Sequence, residues 1–100
     1  MGYYTNFELH TDPSILAEVE LAINEVSGYV FHHGRLGDEK WYDHEEHVRA
    51  VSMKFPGQLI TLEGQGEDAD DQWRAYFQDG RMQKCRAIIT FEAYDPSKLK

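Results

Sequence analysis

The stretch from Pro56 to Asp79, PGQLITLEGQGEDADDQWRAYFQD, constrains the fold more than any other part of this chain. Its apolar run, Leu59 to Leu62, ends at two closely spaced glycines, and an aromatic run with a two-residue period, Trp73 to Phe77, follows. This pattern predicts two strands that are joined by a turn. Asp79 and Gly80 are typical of a two-residue hairpin turn, so a further strand should pair with the aromatic one.

The beginning of the chain predicts a strand followed by a helix. Apolar and polar residues alternate from Tyr3 to His10, as they do in a strand with one buried face. Asp12 is the expected N-cap of the helix, with Pro13 in its first turn. Apolar residues then recur at helical spacing, so the helix should continue to Gly28.

The next part of the chain predicts a short strand, a loop and a second helix. We expect Tyr29–Phe31 to form the strand and the glycine-containing segment His32–Glu39 to form the loop. The second helix is predicted to begin at Asp43, because Asp43 and Glu46 have the spacing of a capping box. It should end at Pro56.

The last strand is expected to run from Arg81 to Tyr94. Cys85 belongs to its alternating apolar set, which predicts a buried, unreactive thiol. The order of elements is therefore β-α-β-α-β-β-β, within a single domain of residues 1–100. Two helices on one face of a mainly antiparallel sheet would form an α+β two-layer sandwich, loosely of the ferredoxin-like kind.

Charge and cysteine content restrict the classes of partner and compartment. Eighteen acidic and ten basic residues give a net charge of −8, which disfavours direct binding to nucleic acid or to anionic membranes and favours a partner with a basic surface. The single cysteine cannot form an internal disulfide, and the sequence shows no signal-peptide pattern and no apolar segment of membrane length. We therefore expect a cytoplasmic location.

The sequence offers no convincing catalytic or metal-binding motif. His44 and His47 lie three positions apart, whereas a helical zinc protease motif needs histidines four positions apart. The run Asp68–Asp71 lacks the oxygen ligand and the glycine that a calcium loop requires, and the acidic residues after Gly64 and Gly66 would repel a phosphate. We expect no metal, no cofactor and no catalytic residues, and a binding protein rather than an enzyme.

The acidic turn is the candidate binding surface. Its carboxylates would meet arginines or lysines of a partner protein, and nearby aromatic side chains on the surface would supply an anchor. The predicted binding residues are Glu67, Asp68, Asp70, Asp71, Trp41 and Tyr42. Trp73 is expected to be buried instead, in one core cluster with Phe77, Phe7 and Val19.

Other interpretations stay open at the level of sequence. The acidic turn is also consistent with a solvated loop. A small enzyme or ligand-binding domain would use a pocket near Trp73 with Glu67, His44 or His47, and a third class is a structural or self-assembling module, including a homo-oligomer. An enclosed pocket that holds carboxylates of raised pKa would favour the enzyme, whereas an exposed two-helix face or open sheet face lined by aromatic residues would favour binding.

Four segments carry a resemblance to known proteins. They are YYTNF at residues 3–7, WYDHEEHVRAVSMKFP at 41–56, TLEGQGEDADDQWRAYFQDG at 61–80, and FEAYDPSKL, which ends at Leu99. Together they resemble a group of small uncharacterised proteins encoded by actinobacterial phages and some bacteria, over nearly the whole chain, with residues 32–40 the least similar. The acidic turn of that group usually looks like G-E-G-E, and here Gln65 stands in place of the first acid. The resemblance implies a phage accessory role and assigns no site residues. Together with the features above, it leads us to expect a small protein in the cytoplasm of the host cell that acts by binding a host or phage protein, as accessory and inhibitor proteins of phages commonly do.

Overall fold

The computed structural model describes residues 3–100, which contain five strands and two α-helices. Their bounds are Thr5–His10 (β1), Leu16–Ser27 (α1), Arg35–Glu39 (β2), His44–Ser52 (α2), Ile60–Gly66 (β3), Gln72–Gln78 (β4) and Arg81–Arg86 (β5). The strands form one antiparallel sheet in the order β2-β1-β3-β4-β5, and the helices pack on one face of it. This confirms the predicted α+β sandwich and its order of elements.

The hydrophobic core lies between the helices and the sheet. Strand β3 alternates strictly between buried and half-buried residues, and β4 buries every second side chain. Trp73, Phe77, Phe7 and Val19 all lie in this core, as predicted. The indole of Trp73 lies across Gly64 on the neighbouring strand, where a Cβ atom would collide with the ring.

The hairpin between β4 and β5 turns at Asp79 and Gly80, as predicted. Both residues have positive φ angles, 53° and 80°, which glycine adopts freely and aspartate tolerates. The turn also packs against the end of α2, because the Gly80 N–H donates to Ser52 Oγ at 2.8 Å. Asp79 in turn accepts a hydrogen bond from the Gly57 N–H at 2.9 Å.

The expected strand at Tyr29–Phe31 is wrong. The Tyr29 N–H donates to Ser27 Oγ at 3.1 Å, and the Phe31 N–H donates to Asn24 Oδ1 at 3.0 Å. These side chains of α1 therefore take the backbone bonds that a neighbouring strand would have taken.

The expected loop at His32–Glu39 is wrong as well, because most of it forms a tight turn and strand β2. His32 and Arg35 exchange two backbone hydrogen bonds of 2.9 Å around His33 and Gly34, which both have positive φ. A two-residue turn of this kind reverses the chain sharply. Strand β2 then pairs with β1 at the edge of the sheet.

The last strand ends at Arg86, so the prediction that it reaches Tyr94 is wrong. Strand β4 is its only neighbour among the described residues, and β4 begins at Gln72, whose carbonyl accepts a hydrogen bond of 2.9 Å from the Ala87 N–H. Beyond this bond no strand within residues 3–100 lies beside the chain to pair with it. Cys85 is half-buried rather than buried, because it lies opposite Arg74 on the face of the sheet without helices.

Helix α2 begins where the sequence predicts, whereas the prediction of Asp12 as the N-cap of α1 is wrong, because the N-cap is Ile15. Helix α1 begins at Leu16 rather than directly after Asp12, because Asp12 Oδ1 accepts hydrogen bonds from the N–H and hydroxyl of Ser14 and forms a separate turn. Asp43 is the N-cap of α2, but its side chain makes no capping hydrogen bond. No helix within residues 3–100 is long and apolar enough to cross a membrane.

Candidate functional site

The acidic turn occupies residues 67–71, between β3 and β4, and has a closed conformation. Its ends are joined by a hydrogen bond of 2.8 Å from the Gly66 N–H to the Asp71 carbonyl. A second bond, of 3.0 Å, runs from the Asp71 N–H to the Asp68 carbonyl. The side chains of Glu67, Asp68 and Asp70 are exposed to solvent, so the turn presents its carboxylates outwards.

The start of the chain binds this turn through three hydrogen bonds. The Tyr3 hydroxyl donates to Asp71 Oδ2 at 2.7 Å and accepts from the Asp68 N–H at 3.1 Å. The Tyr4 N–H donates to Glu67 Oε2 at 2.7 Å. Two of the four turn carboxylates therefore have a fixed position before any partner binds.

The environment of Tyr3 keeps its phenol protonated. The Asp68 N–H donates to the phenol oxygen and favours the phenolate. Three other effects outweigh it and raise the pKa of Tyr3: the hydrogen bond to the Asp71 carboxylate, partial desolvation and the negative charges of both aspartates. Gly66 leaves room for this contact, because a Cβ atom there would displace the Tyr3 ring and the Asp71 carboxylate. The local sequence thus builds the turn and its support together.

A small pocket of about 270 Å³ lies next to the turn and is lined by Tyr4, Asp38 and Glu67. One aromatic ring and two carboxylates form its walls. The ring of Tyr4 already makes a cation–π contact, because the ammonium of Lys40 lies 4.9 Å from its centroid. We call the turn of residues 67–71, together with Tyr4, Asp38 and Tyr42, the acidic edge.

The two aromatic residues that were predicted to bind have different positions. Tyr42 is 64% exposed, and its hydroxyl accepts a hydrogen bond of 2.8 Å from the Tyr3 N–H, so it lies beside the turn as expected. Trp41 is only 3% exposed, and the expectation of an exposed ring is wrong. Its indole packs edge-on against Phe7 and donates to His47 Nδ1 at 2.9 Å.

Sequence reasoning missed Tyr4 and Asp38. Both enter the site because β1 lies between β2 and β3, so the start of β1, the end of β2 and the end of β3 meet at the same edge. Thr5 accordingly pairs with Glu39 on one side and with Gly66 on the other. A correct assignment of β2 would have been the signal for this convergence.

A second cluster surrounds Trp73 on the helix side of the sheet. The imidazole of His44 stacks on the indole with a centroid distance of 4.9 Å, and the Lys84 ammonium lies 4.6 Å from the indole centroid. Lys84 also forms an ion pair of 3.3 Å with Glu45. The cluster joins α2 to β4 and β5 and is the place where these elements are fixed to each other.

His44 is held in its neutral form within this cluster. Burial is the largest effect and lowers the pKa of His44 below the ordinary value of 6.5, and the Lys84 ammonium lowers it further. The Trp41 carbonyl and the carboxylates of Glu45 and Asp43 raise the pKa, but they do not outweigh burial. Its Nδ1 lies 2.9 Å from the Trp41 carbonyl and must carry the proton, since a carbonyl can only accept. Its Nε2 is buried without a hydrogen-bond partner in the described part of the chain.

The face of the sheet without helices is open and polar. One row of side chains crosses it in the order Arg35, Glu8, Glu63, Arg74 and Cys85, one from each strand. Glu8 and Glu63 are direct neighbours, and each has an arginine on its outer side, at 3.7 and 3.5 Å. A shallow groove of about 670 Å³ lies over this row.

The groove matches only part of the pocket that the enzyme interpretation places near Trp73. Trp73 is among its lining residues, although the indole stacks on His44 at the helix side of the sheet, and neither Glu67, His44 nor His47 lines the groove. Within residues 3–100, no three His, Cys, Asp or Glu side chains converge closely enough to hold a metal ion.

Comparisons with protein-family models, with curated proteins and with solved structures found no match to this chain.

Proposed function

We propose that this chain is a small accessory protein, of the phage type that its sequence resembles, which binds a basic segment of a host or phage protein through the acidic edge. The observation that carries the proposal is the pocket of Tyr4, Asp38 and Glu67 beside the exposed Asp68 and Asp70. Because Lys40 already makes a cation–π contact with Tyr4, the carboxylates are the groups that would attract a lysine ammonium or an arginine guanidinium of the partner.

Two further properties of the edge support this proposal. The bonds from Tyr3 and Tyr4 hold the turn in place, so a partner would lose little affinity in ordering it. The segments 38–40 and 67–71 carry six carboxylates and only one base, Lys40. Such an imbalance steers a cationic partner and accelerates association at low salt.

A variant that removes only exposed charge tests the proposal. We would substitute Asp38→Asn, Asp68→Asn and Asp70→Asn together and measure binding of a fluorescent peptide in which four arginines alternate with serines. Exposed carboxylates contribute little to stability, so the fold should be retained. The dissociation constant should rise by about tenfold or more at low salt, mainly through slower association.

The matched control changes the same number of charges elsewhere. Glu18, Glu25 and Glu46 are residues on the helices, and their joint replacement by glutamine changes the net charge equally. If this control weakens peptide binding as much as the edge variant does, attraction depends on net charge alone and the proposed site is wrong. A peptide with glutamate in place of arginine should not bind to either protein.

The open groove supports a second candidate function, the binding of a small zwitterionic ligand. Its volume falls within the range of ligand pockets, roughly 300–1,000 Å³, and its central carboxylates, Glu8 and Glu63, lie between two arginines. An NMR titration with free arginine and with free glutamate tests this candidate. The signals to follow are those of the side-chain amides of Asn6, Gln65 and Gln72, which line the groove. Saturable shifts at millimolar ligand would favour this candidate, and their absence would exclude ligands of this chemistry.

A further inference from the structure

The segment after β5 is apolar and lies outside the compact part of the molecule. Ile88 is 88% exposed and Phe91 is 91% exposed, and residues 87–95 contain no helix or strand. The radius of gyration is 16.4 Å, whereas a compact chain of this length has a value of about 13 Å. An exposed apolar segment that continues an edge strand is a template for pairing with another chain.

The backbone of this edge is ready to pair on its outer side. The Ala87 N–H donates inwards to the Gln72 carbonyl of β4. Because successive residues of a strand point their N–H and C=O groups in opposite directions, the even-numbered residues from Met82 onwards direct theirs away from β4. A strand that pairs antiparallel with this edge must therefore place residues whose N–H and C=O groups point towards β5 opposite the even-numbered residues of β5.

The charges along residues 81–95 are separated into two halves. The first half, which is β5, contains Arg81, Lys84 and Arg86 and no acid, whereas the second half contains Glu92 and Asp95 and no base. Two copies of such a segment that run in opposite directions place the basic half of each beside the acidic half of the other. The segment is thus complementary to itself in the antiparallel arrangement.

We propose that two copies of this chain form a symmetric dimer in which residues 81–95 of one copy pair antiparallel with residues 81–95 of the other, with the two Ile88 residues opposite each other. This register keeps the even-numbered residues paired with even-numbered residues. It places Lys84 opposite Glu92 on the helix side of the sheet and Arg81 opposite Asp95 on the open side. Each pair occurs twice because of the two-fold symmetry.

Neighbouring registers fit less well. A dimer centred on Ala87 loses both charge pairs, and one centred on Ile89 retains only a contact of Arg86 with Glu92. In the proposed register, Phe91 lies opposite Cys85 and Tyr94 lies opposite Met82, so the exposed rings would cover half-buried side chains of β5. The pairing also extends β5 to about the length that its sequence predicts.

The other free edge of the sheet is a poorer partner for this segment. Strand β2 contains only five residues, with Arg35 at its start and Asp38 and Glu39 at its end, so it is too short to pair with residues 81–95 along their whole length. Pairing with β2 of a second copy would also be heterologous and would leave further edges open to growth. The two-fold arrangement closes the β5 edge of both copies at once.

Complementary charge reversal in the full chain tests the dimer and its register. We expect the wild type to have twice the chain mass of 11.6 kDa in sedimentation velocity at about 100 µM. Arg81→Asp places two aspartates opposite each other, and Asp95→Arg places two arginines opposite each other, so each variant alone should have a dimer dissociation constant raised by about tenfold or more. Arg81 is exposed and, unlike Lys84, is not part of the cluster around Trp73. An equimolar mixture should dimerise more strongly than either variant alone, since a mixed dimer restores pairs of opposite sign.

A central substitution with a matched control completes the test. Ile88→Lys places two like charges opposite each other at the symmetry axis and should abolish the dimer. Leu59→Lys, which introduces the same side chain at a half-exposed apolar position outside the segment, should retain it. A monomeric wild type, a dimer that survives Ile88→Lys, or a mixture of the charge variants that dimerises no better than each alone would overturn the proposal.

Discussion

Trp73 is the residue at which sheet, helix and hairpin meet. Its indole requires a glycine on the neighbouring strand, stacks with His44 of α2 and lies below the Lys84 ammonium of β5. A residue that contacts three elements in this way contributes apolar burial, aromatic stacking and a cation–π contact at one position. We therefore expect stability to depend strongly on it.

Replacement of Trp73 by alanine should lower the free energy of unfolding by about 3–5 kcal/mol, because it removes a large buried ring and leaves a cavity. Urea unfolding followed by circular dichroism measures this change. Val30→Ala at a half-exposed position is the control and should change stability by less than about 1 kcal/mol. A loss of similar size in both variants would contradict the central role of Trp73.

The lowered pKa of His44 predicts a pH dependence of stability. Since the unfolded chain takes up a proton near pH 6.5 and the folded chain does so only at lower pH, the contribution of His44 is fully present above about pH 6.5. It is lost as the pH falls from there through the folded pKa. Unfolding free energies at pH 7.5 and pH 5 should therefore differ less in His44→Phe than in the wild type.

The matched substitution for this experiment is His32→Phe, at an exposed histidine. It controls for the replacement of a histidine by phenylalanine as such, and a reduction of the pH dependence as large as that in His44→Phe would contradict the assignment to His44. An equal pH dependence in the wild type and in His44→Phe would show that His44 is not the titrating group.

The burial of single residues could be predicted only where a period was present. Trp73 lies in an alternating run, and the same alternation assigns Phe77 to its face. Trp41 lies between a strand and a helix, where no period applies, and its burial depends on contacts with residues far away in the sequence. Alternation also shows which residues share a face with Cys85 but not which of the two faces the helices cover.

At the scale of elements, the hairpin of β4 and β5 has the most local origin. Its turn depends on two residues whose backbone angles few other residue types adopt. The extent of β5 depends instead on where β4 begins, and the existence of β2 depends on a turn that contains a histidine with positive φ. Such features arise from pairing partners and rare backbone angles, so the sequence pattern could not predict them.

Gly80→Val should destabilise the protein by more than about 1 kcal/mol, since a β-branched residue is strained at a φ of 80°. The new Cβ would also lie only 3.0 Å from Met53 Cγ. Thermal unfolding tests this expectation against Gly37→Val, where no atom lies within 4 Å of a new Cβ and φ is not positive. Equal melting temperatures for Gly80→Val and the wild type would contradict the turn.

At the scale of the whole molecule, the sheet gathers charge from distant parts of the sequence at one edge. The ends of β2 and β3 and the start of β1 meet there, so carboxylates from residues 38–39 and 67–71 act as one surface. The sequence indicated the four turn carboxylates and Tyr42, whereas Tyr4 and Asp38 became part of the site only through strand order. This collected negative surface is the basis for the proposed basic partner.

The most direct test of this account is an NMR titration of the ¹⁵N-labelled protein with the arginine–serine peptide at low salt. We predict that the largest amide shifts occur at Tyr4, Asp38 and residues 67–71, that they saturate, and that they diminish as added salt shortens the Debye length from about 30 Å towards 10 Å. Shifts centred on the open groove, or none at the acidic edge, would contradict the proposed binding site.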